Sequence, residues 1–232
     1  MQLVVVEGKN DRIFFGELLQ SYTQTTNALD LKLEVIRNNM RLLQNTLRRK
    51  LNAEDIIILY EDNGRRNMFE KVTHRILRET VLFITKPFYV LEIVDGGGIS
   101  HKTLLLHLFS HTEKALHDNK RYYSKYRPVA NVNDNAIEII PLMGKSPYKI
   151  IVTLSVVPRS LEEAIFEKAI NRYKNSLKGM ISKLKKINVH QSLAMIAGYL
   201  GKSLDVLIKE SVYWFDYDSE QWIKDIIRKI QV

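Results

Sequence analysis

Short, almost wholly apolar runs recur through the first half of the chain, each followed by a polar turn and a stretch of helical periodicity. Leu3 to Val6, Ile56 to Tyr60 and Phe88 to Val94 are rich in β-branched and aromatic residues and show no polar alternation. A strand that alternates has one wet face; one that does not is buried on both. Between these runs lie amphipathic segments. From Asn10, the residues Ile13, Phe14, Leu18 and one of Phe15 or Leu19 share a face. Met40 to Leu51, Asn67 to Thr80 and Lys102 to Leu116 also read as helices, and Leu31 to Arg37 as a further strand. Strands alternating with helices require crossover connections, which predicts an α/β fold with a parallel sheet covered on both faces.

Beyond Leu116 the pattern loosens. Asp118 to Asn135 is polar, basic and aromatic and reads as a long loop. Short strands are predicted at Ala136 to Leu142 and Tyr148 to Val157, and helix from Pro158 onward. The expected organisation is an α/β core over residues 1–157, with a basic helical segment over 158–232 packed on it. The charge follows this division. Of the net +9, residues 1–100 carry 14 Lys and Arg against 13 Asp and Glu, and residues 101–232 carry 21 against 13. A neutral front and a basic back point to a polyanionic partner, DNA or RNA before an acidic membrane surface. There is no cysteine, which removes disulfides, thiolate zinc sites and cysteine nucleophiles. No apolar run reaches bilayer length and the first residues lack the form of a secretion signal, so a cytoplasmic setting with no membrane contact is expected.

In a parallel sheet, functional groups gather beyond the carboxyl ends of the strands. Two predicted ends carry acids: Glu7 with Asp11, and Glu61 with Asp62 and Asn63. Carboxylate and amide oxygens are ligands for Mg²⁺ or Mn²⁺, which would polarise a phosphodiester and activate an attacking oxygen. Asn10-Asp11 and Asp62-Asn63 also have the composition of helix caps. Capping does not account for Glu7 at a strand end.

The stretch Val4-Val5-Val6-Glu7-Gly8-Lys9-Asn10-Asp11 resembles the first motif of the Toprim domain, a hydrophobic strand followed by Glu-Gly-x-x-Asp. Within that family the chain is most similar to the compact members related to the OLD (overcoming-lysogenization-defect) nucleases. The resemblance implies a Toprim-like sheet and Mg²⁺- or Mn²⁺-dependent phosphoryl transfer. It assigns Glu7, Asp11, Glu61, Asp62 and Asn63 to the metal, with Glu7 and Asp11 catalytic. The family's second strand ends in Asp-x-Asp; here the aligned positions hold Glu61 and Asn63, one charge fewer. Val156 to Glu163 resembles a strand-to-helix Leu-Glu feature of those proteins, which implies that Glu162 joins the catalytic acids. Tyr213 to Glu220 resembles their C-terminal aromatic-acidic stretch, with Asp218 or Ser219 as a cap and Trp214, Trp222 and Ile226 as core.

Other constellations compete. Gly96-Gly97-Gly98-Ile99-Ser100-His101-Lys102-Thr103 departs from a phosphate-binding P-loop in having His101 where glycine precedes the lysine. His107 and His111 have the i, i+4 spacing of a helical metal pair, though without the glutamate of a zinc-protease motif. For nucleic acid the sequence offers two basic stretches and Lys9. Lys120, Arg121, Lys125 and Arg127 alternate with tyrosines, a composition suited to backbone contact plus base stacking. Residues 168–204 hold eight Lys or Arg and no acid, among them Lys168, Arg172, Lys178, Lys183 and Lys186. The expected function is metal-dependent phosphodiester chemistry on DNA or RNA, most simply endonuclease cleavage. The alternative is a non-catalytic nucleic-acid-binding protein of the same fold with a degraded metal site.

Overall fold

The structure, a computed structural model, describes residues 2–25, 32–36, 39–50, 56–61, 64–80, 86–118, 129–133, 136–140 and 148–230. Its strands are β1 (Gln2–Val6), β2 (Lys32–Ile36), β3 (Ile56–Glu61), β4 (Phe88–Asp95), β5 (Val129–Val132), β6 (Ala136–Ile140) and β7 (Ile150–Val157). They form one seven-stranded sheet in the order β2-β3-β1-β4-β7-β6-β5. The five strands from β2 to β7 run parallel, and β6 and β5 close one side as an antiparallel pair. The register sets Val6 beside Glu61 on one flank and Ile93 on the other, so β1, β3 and β4 end at nearly one level.

The apolar runs lack alternation because each strand serves two cores. Leu3 and Val5 join Ile58, Tyr60, Val90 and Val94 on one face, while Val4 and Val6 join Leu59, Leu91 and Ile93 on the other. The first face is covered by α2 (Met40–Lys50), the stretch Arg65–Thr80 and α5 (His101–Asp118). Arg65–Thr80 comprises α3 (Arg65–Asn67), a π-helical segment (Met68–Thr73) and α4 (His74–Thr80). The second face receives α1 (Lys9–Thr25), α6 (Leu161–Arg172), α7 (Ile181–Leu184), α8 (Val189–Tyr199), α9 (Leu204–Ser211) and α10 (Gln221–Ile230). The basic helical part therefore shares a core with α1: Phe14 and Phe15 meet Phe215 and Trp222 in edge-on and stacked contacts with ring centroids 5.4–6.3 Å apart. Trp222 and Ile226 are buried in that core and Trp214 packs against it.

The differences from expectation have local causes. Val129–Val132 pairs with β6 as a four-residue edge strand inside what reads as loop, its Asn131 interrupting the apolar pattern. Residues 119–128, with Lys120, Arg121, Lys125 and Arg127, lie outside the described residues. Asn10 does not cap α1, because the helix begins at Lys9 and the Asn10 amide is engaged with Glu162. Side-chain caps do form at Asn188 of α8, Ser203 of α9 and Ser160, whose Oγ accepts from the Glu163 N–H at 3.2 Å and sets the start of α6. None of the described helices is long and apolar enough to cross a membrane.

One core residue breaks the apolar rule. Glu92, in the middle of β4, is wholly buried; its Oε1 accepts from Thr73 Oγ1 at 2.7 Å, and its Oε2 has no hydrogen-bond partner. Burial raises its pKa to about 8, with the Thr73 hydrogen bond opposing. Folding therefore takes up a proton between the ordinary glutamate range and pH 8, and stability falls as pH rises through that window, by about 1 kcal/mol per pH unit. In Glu92→Gln this decline is removed. Denaturant unfolding at pH 5 and pH 8 should show the variant gaining on the parent at the higher pH.

Candidate active site

The loops leaving β1, β3, β4 and β7 are bound to one another by a small set of hydrogen bonds around Glu7. Its Oε1 accepts from the Asp95 N–H at 2.9 Å and its Oε2 from the Arg65 N–H at 3.2 Å. The Glu7 carbonyl accepts from Gly64 N–H at 2.8 Å. Asp95, the last residue of β4, accepts the Leu161 N–H on Oδ1 at 2.9 Å and so holds the first turn of α6. Glu162 follows, and its Oε1 takes a hydrogen bond of 2.9 Å from Asn10 Nδ2. Asp11, one position further along α1, is buried, and its Oδ2 lies 3.3 Å from where a Cβ on Gly8 would stand. The glycine of Glu-Gly-x-x-Asp is thus the residue that lets this carboxylate fold back over the turn.

Glu7, Asp11 and Glu162, predicted from the sequence, do come together, and Asp95 joins them. Their electrostatics record the crowding. Burial raises Asp95 to about 7, with the charges of Glu7 and Glu162 adding to it and the Leu161 N–H and Arg65 opposing. Asp11 is raised well above the usual carboxylate range by burial and then by Asp95, Glu162 and Glu7. Glu7 is also raised by burial, against the lowering effect of the Asp95 N–H and the Arg65 guanidinium. Four carboxylates facing one another from the ends of β1, β4 and the β7–α6 corner favour either protons or a cation.

Arg65 is the positive group at this hole. Its Nη1 donates to the Asp95 carbonyl at 3.1 Å, and with Arg66, Glu7, Asp95 and Gly97 it lines an open cleft of about 550 Å³. Glu61 ends β3 next to β1, yet it is held by Arg12, Nε to Oε2 2.7 Å, with both side chains mostly covered. Asp62 and Asn63 lie outside the described residues. Among the described residues no three carboxylates or imidazoles stand close enough to grip an ion unaided. That donor set still fits a hydrated Mg²⁺ or Mn²⁺, which takes one or two carboxylates and completes its shell with water and phosphate oxygens.

No known protein family, curated protein or solved structure matches this chain.

The remaining candidates divide clearly. Gly96 N–H donates to Val157 O and Gly97 N–H to Arg159 O, both at 2.8 Å, which removes two donors from any P-loop-like cradle. These bonds instead zip the β4–α5 turn to the β7–α6 corner. A Cβ at Gly96 would lie 3.0 Å from Val157 O, and Arg159 takes a left-handed φ of 60°. His101 Nε2 lies 3.1 Å from Leu154 O and the His111 ring packs on Phe69; among the described residues His107 and His111 belong to no group of three or more ligating side chains. Lys9 is paired with Asp205 at 2.8 Å and Lys168 with Glu220 at 2.7 Å, while Arg172 lies 5.9 Å over the Trp214 ring. Lys174, Lys178, Lys183, Lys185 and Lys186 are exposed and, among the described residues, make no ion pair.

Asp95 and Arg65 are the site residues that motif reading does not pick out. The signal for Asp95 was present, an acid ending an apolar strand, but the three glycines after it point to a turn. Because its folded pKa is raised, Asp95 costs stability as pH rises from the ordinary aspartate value through about 7. Asp95→Asn keeps an oxygen for the Leu161 N–H and removes the charge. Thermal unfolding without divalent metal should show the variant stabilised at pH 8 and nearly unchanged at pH 4.

Proposed function

We propose that this protein carries out divalent-metal-dependent phosphodiester chemistry on nucleic acid, most simply endonucleolytic cleavage, from a Toprim-like sheet. The observation that carries the reading is the group of Glu7, Asp11, Asp95 and Glu162 at the carboxyl ends of adjacent strands, of which Glu7 and Asp95 line a cleft together with Arg65 and Arg66. Asp11 and Asp95 would hold the ion with Glu7 alongside, and the ion would supply charge at the attacked phosphate. The chain's own groups supply the rest. Arg65, already anchored through the Asp95 carbonyl, offers its other guanidinium N–H groups to a phosphate oxygen. Glu7 is fixed by two N–H donors and has a raised pKa, a suitable state for accepting and returning a proton. Glu162 is oriented by Asn10. The lysines at 174–186 hold the backbone away from the reacting bond.

Glu61 favours a second reading. Its ion pair with Arg12 occupies the carboxylate that the resemblance assigns to the metal, and Asn63 stands where that resemblance expects an acid. A protein that binds nucleic acid without cutting it would have this appearance. The two readings separate on incubation of the protein with plasmid, single-stranded DNA and structured RNA in Mn²⁺. Cleavage that Glu7→Gln and Asp95→Asn each reduce at least about a hundredfold, the scale of a lost preorganised charge, supports the first. Binding without cleavage in any metal supports the second.

Both readings require the lysines to face phosphate. Replacing Lys178, Lys183 and Lys186 together by Gln should lower affinity across all sequences. The dependence of log K on log salt should become shallower by about 0.7–0.9 for each phosphate the protein no longer neutralises, as read by anisotropy at several salt concentrations.

A further inference from the structure

The Asn10 amide that orients Glu162 has a second neighbour. Its Nδ2 lies 2.9 Å from Glu162 Oε1 and 3.3 Å from Nδ1 of His190, an exposed residue in the first turn of α8. A carboxylate oxygen can only accept, so the amide must face Glu162 with its nitrogen. That nitrogen carries two hydrogens, one for Oε1 and one for the imidazole. His190 Nδ1 therefore offers a lone pair, and the ring proton resides on Nε2. Among the described residues no acceptor meets that N–H.

The backbone around the ring is tied down, and lysines precede it in the chain. Asn188 Oδ1 accepts from the His190 N–H at 2.8 Å. The Ser192 hydroxyl donates to Leu184 O at 2.7 Å, tying the end of the lysine segment to α8. Lys185 and Lys186, exposed and without an ion pair among the described residues, are thus held a few residues from an oriented, unused N–H donor. One amide separates this donor from a carboxylate of the acid cluster.

We infer that His190 is a substrate ligand, its Nε2–H donating to a non-bridging phosphate oxygen of the polynucleotide beside the bond to be cleaved, with Asn10 setting the ring's tautomer. The inference rests on the nucleic-acid reading above and adds a specific contact to it. Asn10 is then a positioning residue twice over, turning Glu162 toward the acids and His190 toward the strand. An anion suits this place better than a neutral ligand, because the ring donor lacks an acceptor among the described residues and Lys185 and Lys186 precede it closely in the chain.

The test measures affinity of the full chain for a labelled single-stranded oligodeoxynucleotide and a labelled RNA hairpin, with Ca²⁺ present to limit cleavage, alongside melting temperature. His190→Ala should weaken binding about tenfold, the scale of one charge-assisted hydrogen bond. His190→Gln, whose amide nitrogen reaches the Nε2 position, should stay within about threefold of the parent. His190→Asn reaches only the Nδ1 position. It can keep the Asn10 contact and the melting temperature, yet should bind as weakly as His190→Ala. A purely structural histidine would give the opposite order, with Asn retaining affinity, and that result overturns the inference. So does parent-like affinity in His190→Ala, or a ¹⁵N imidazole spectrum placing the proton of His190 on Nδ1. If the parent protein binds neither probe, the nucleic-acid reading falls and this contact with it. If the parent binds and the variants match it, only this contact falls.

Discussion

The two N–H groups that converge on the Glu7 carboxylate hold the working end of the molecule together. Asp95 N–H comes from the end of β4 and Arg65 N–H from the start of α3, so one side chain fixes the exits of two crossover connections relative to β1. The pattern repeats outward. Asp95 takes the N–H of Leu161 and positions α6; Glu162 on α6 takes the amide of Asn10 and locks back to α1. Each acid satisfies a backbone or amide donor that the end of a parallel strand would leave exposed. Each also brings its charge closer to the others. The cohesion of the loops and the accumulation of negative charge have the same cause.

The charge asymmetry along the sequence becomes a spatial arrangement. α6 to α10 fold onto the face that α1 covers, and Leu177 and Leu184 anchor the lysine-rich stretch in that core. The lysines between them are left at the surface, on the segment that leads into α8 and His190. Several cations of this back half are consumed internally: Lys168 by Glu220, Lys202 by Glu210, Lys229 by Asp225. Among the described residues the largest group of cations without an ion pair lies at 174–186. On the proposed reading, an acid cluster and a basic segment on one molecule would draw a small cation and a polyanion together, where either charge alone would attract one and repel the other.

Much of this was legible in the residues. Unbroken apolar runs specify strands covered on both faces, and β1, β3, β4 and β7 appear where those runs lie. Glu7 and Asp11 could be read because strand, glycine and acid are contiguous. Asp95 could not be linked to them, since it stands 88 residues from Glu7 and sequence does not state that β4 neighbours β1. The same gap hid the fate of Glu61: Arg12 looks like an ordinary helix residue until the parallel pairing of β1 with β3 sets its guanidinium on that carboxylate. Residues 168–204 read as a charged helical surface, and Leu177 and Leu184 anchor its lysine-rich part in the core that α1 shares. In each case the missing quantity was the lateral order of the strands, which depends on how the crossovers pack and not on any local pattern.

The cost of the acid cluster bears on what it is for. Tying four loop ends together requires acceptors, and neutral carboxamides would accept the same N–H groups without repelling one another. Four crowded carboxylates, of which Glu7, Asp95 and Glu162 make those bonds and Asp11 adds only charge, are an expensive way to make them; Asp95 has its pKa raised to about 7 and Asp11 well above its usual range. Arg65 offsets a single charge. At neutral pH the remainder must be met by protons or by a cation with a preference for oxygen. Protonation relieves the repulsion but leaves buried acids with no function that an amide could not perform. On the proposed reading a divalent ion would relieve it and put the carboxylates to use, while the Arg12–Glu61 pair keeps a fifth acid from adding to the load. On the proposed reading this crowding is what a metal would relieve, and the asparagine at position 63 is the feature that counts against it.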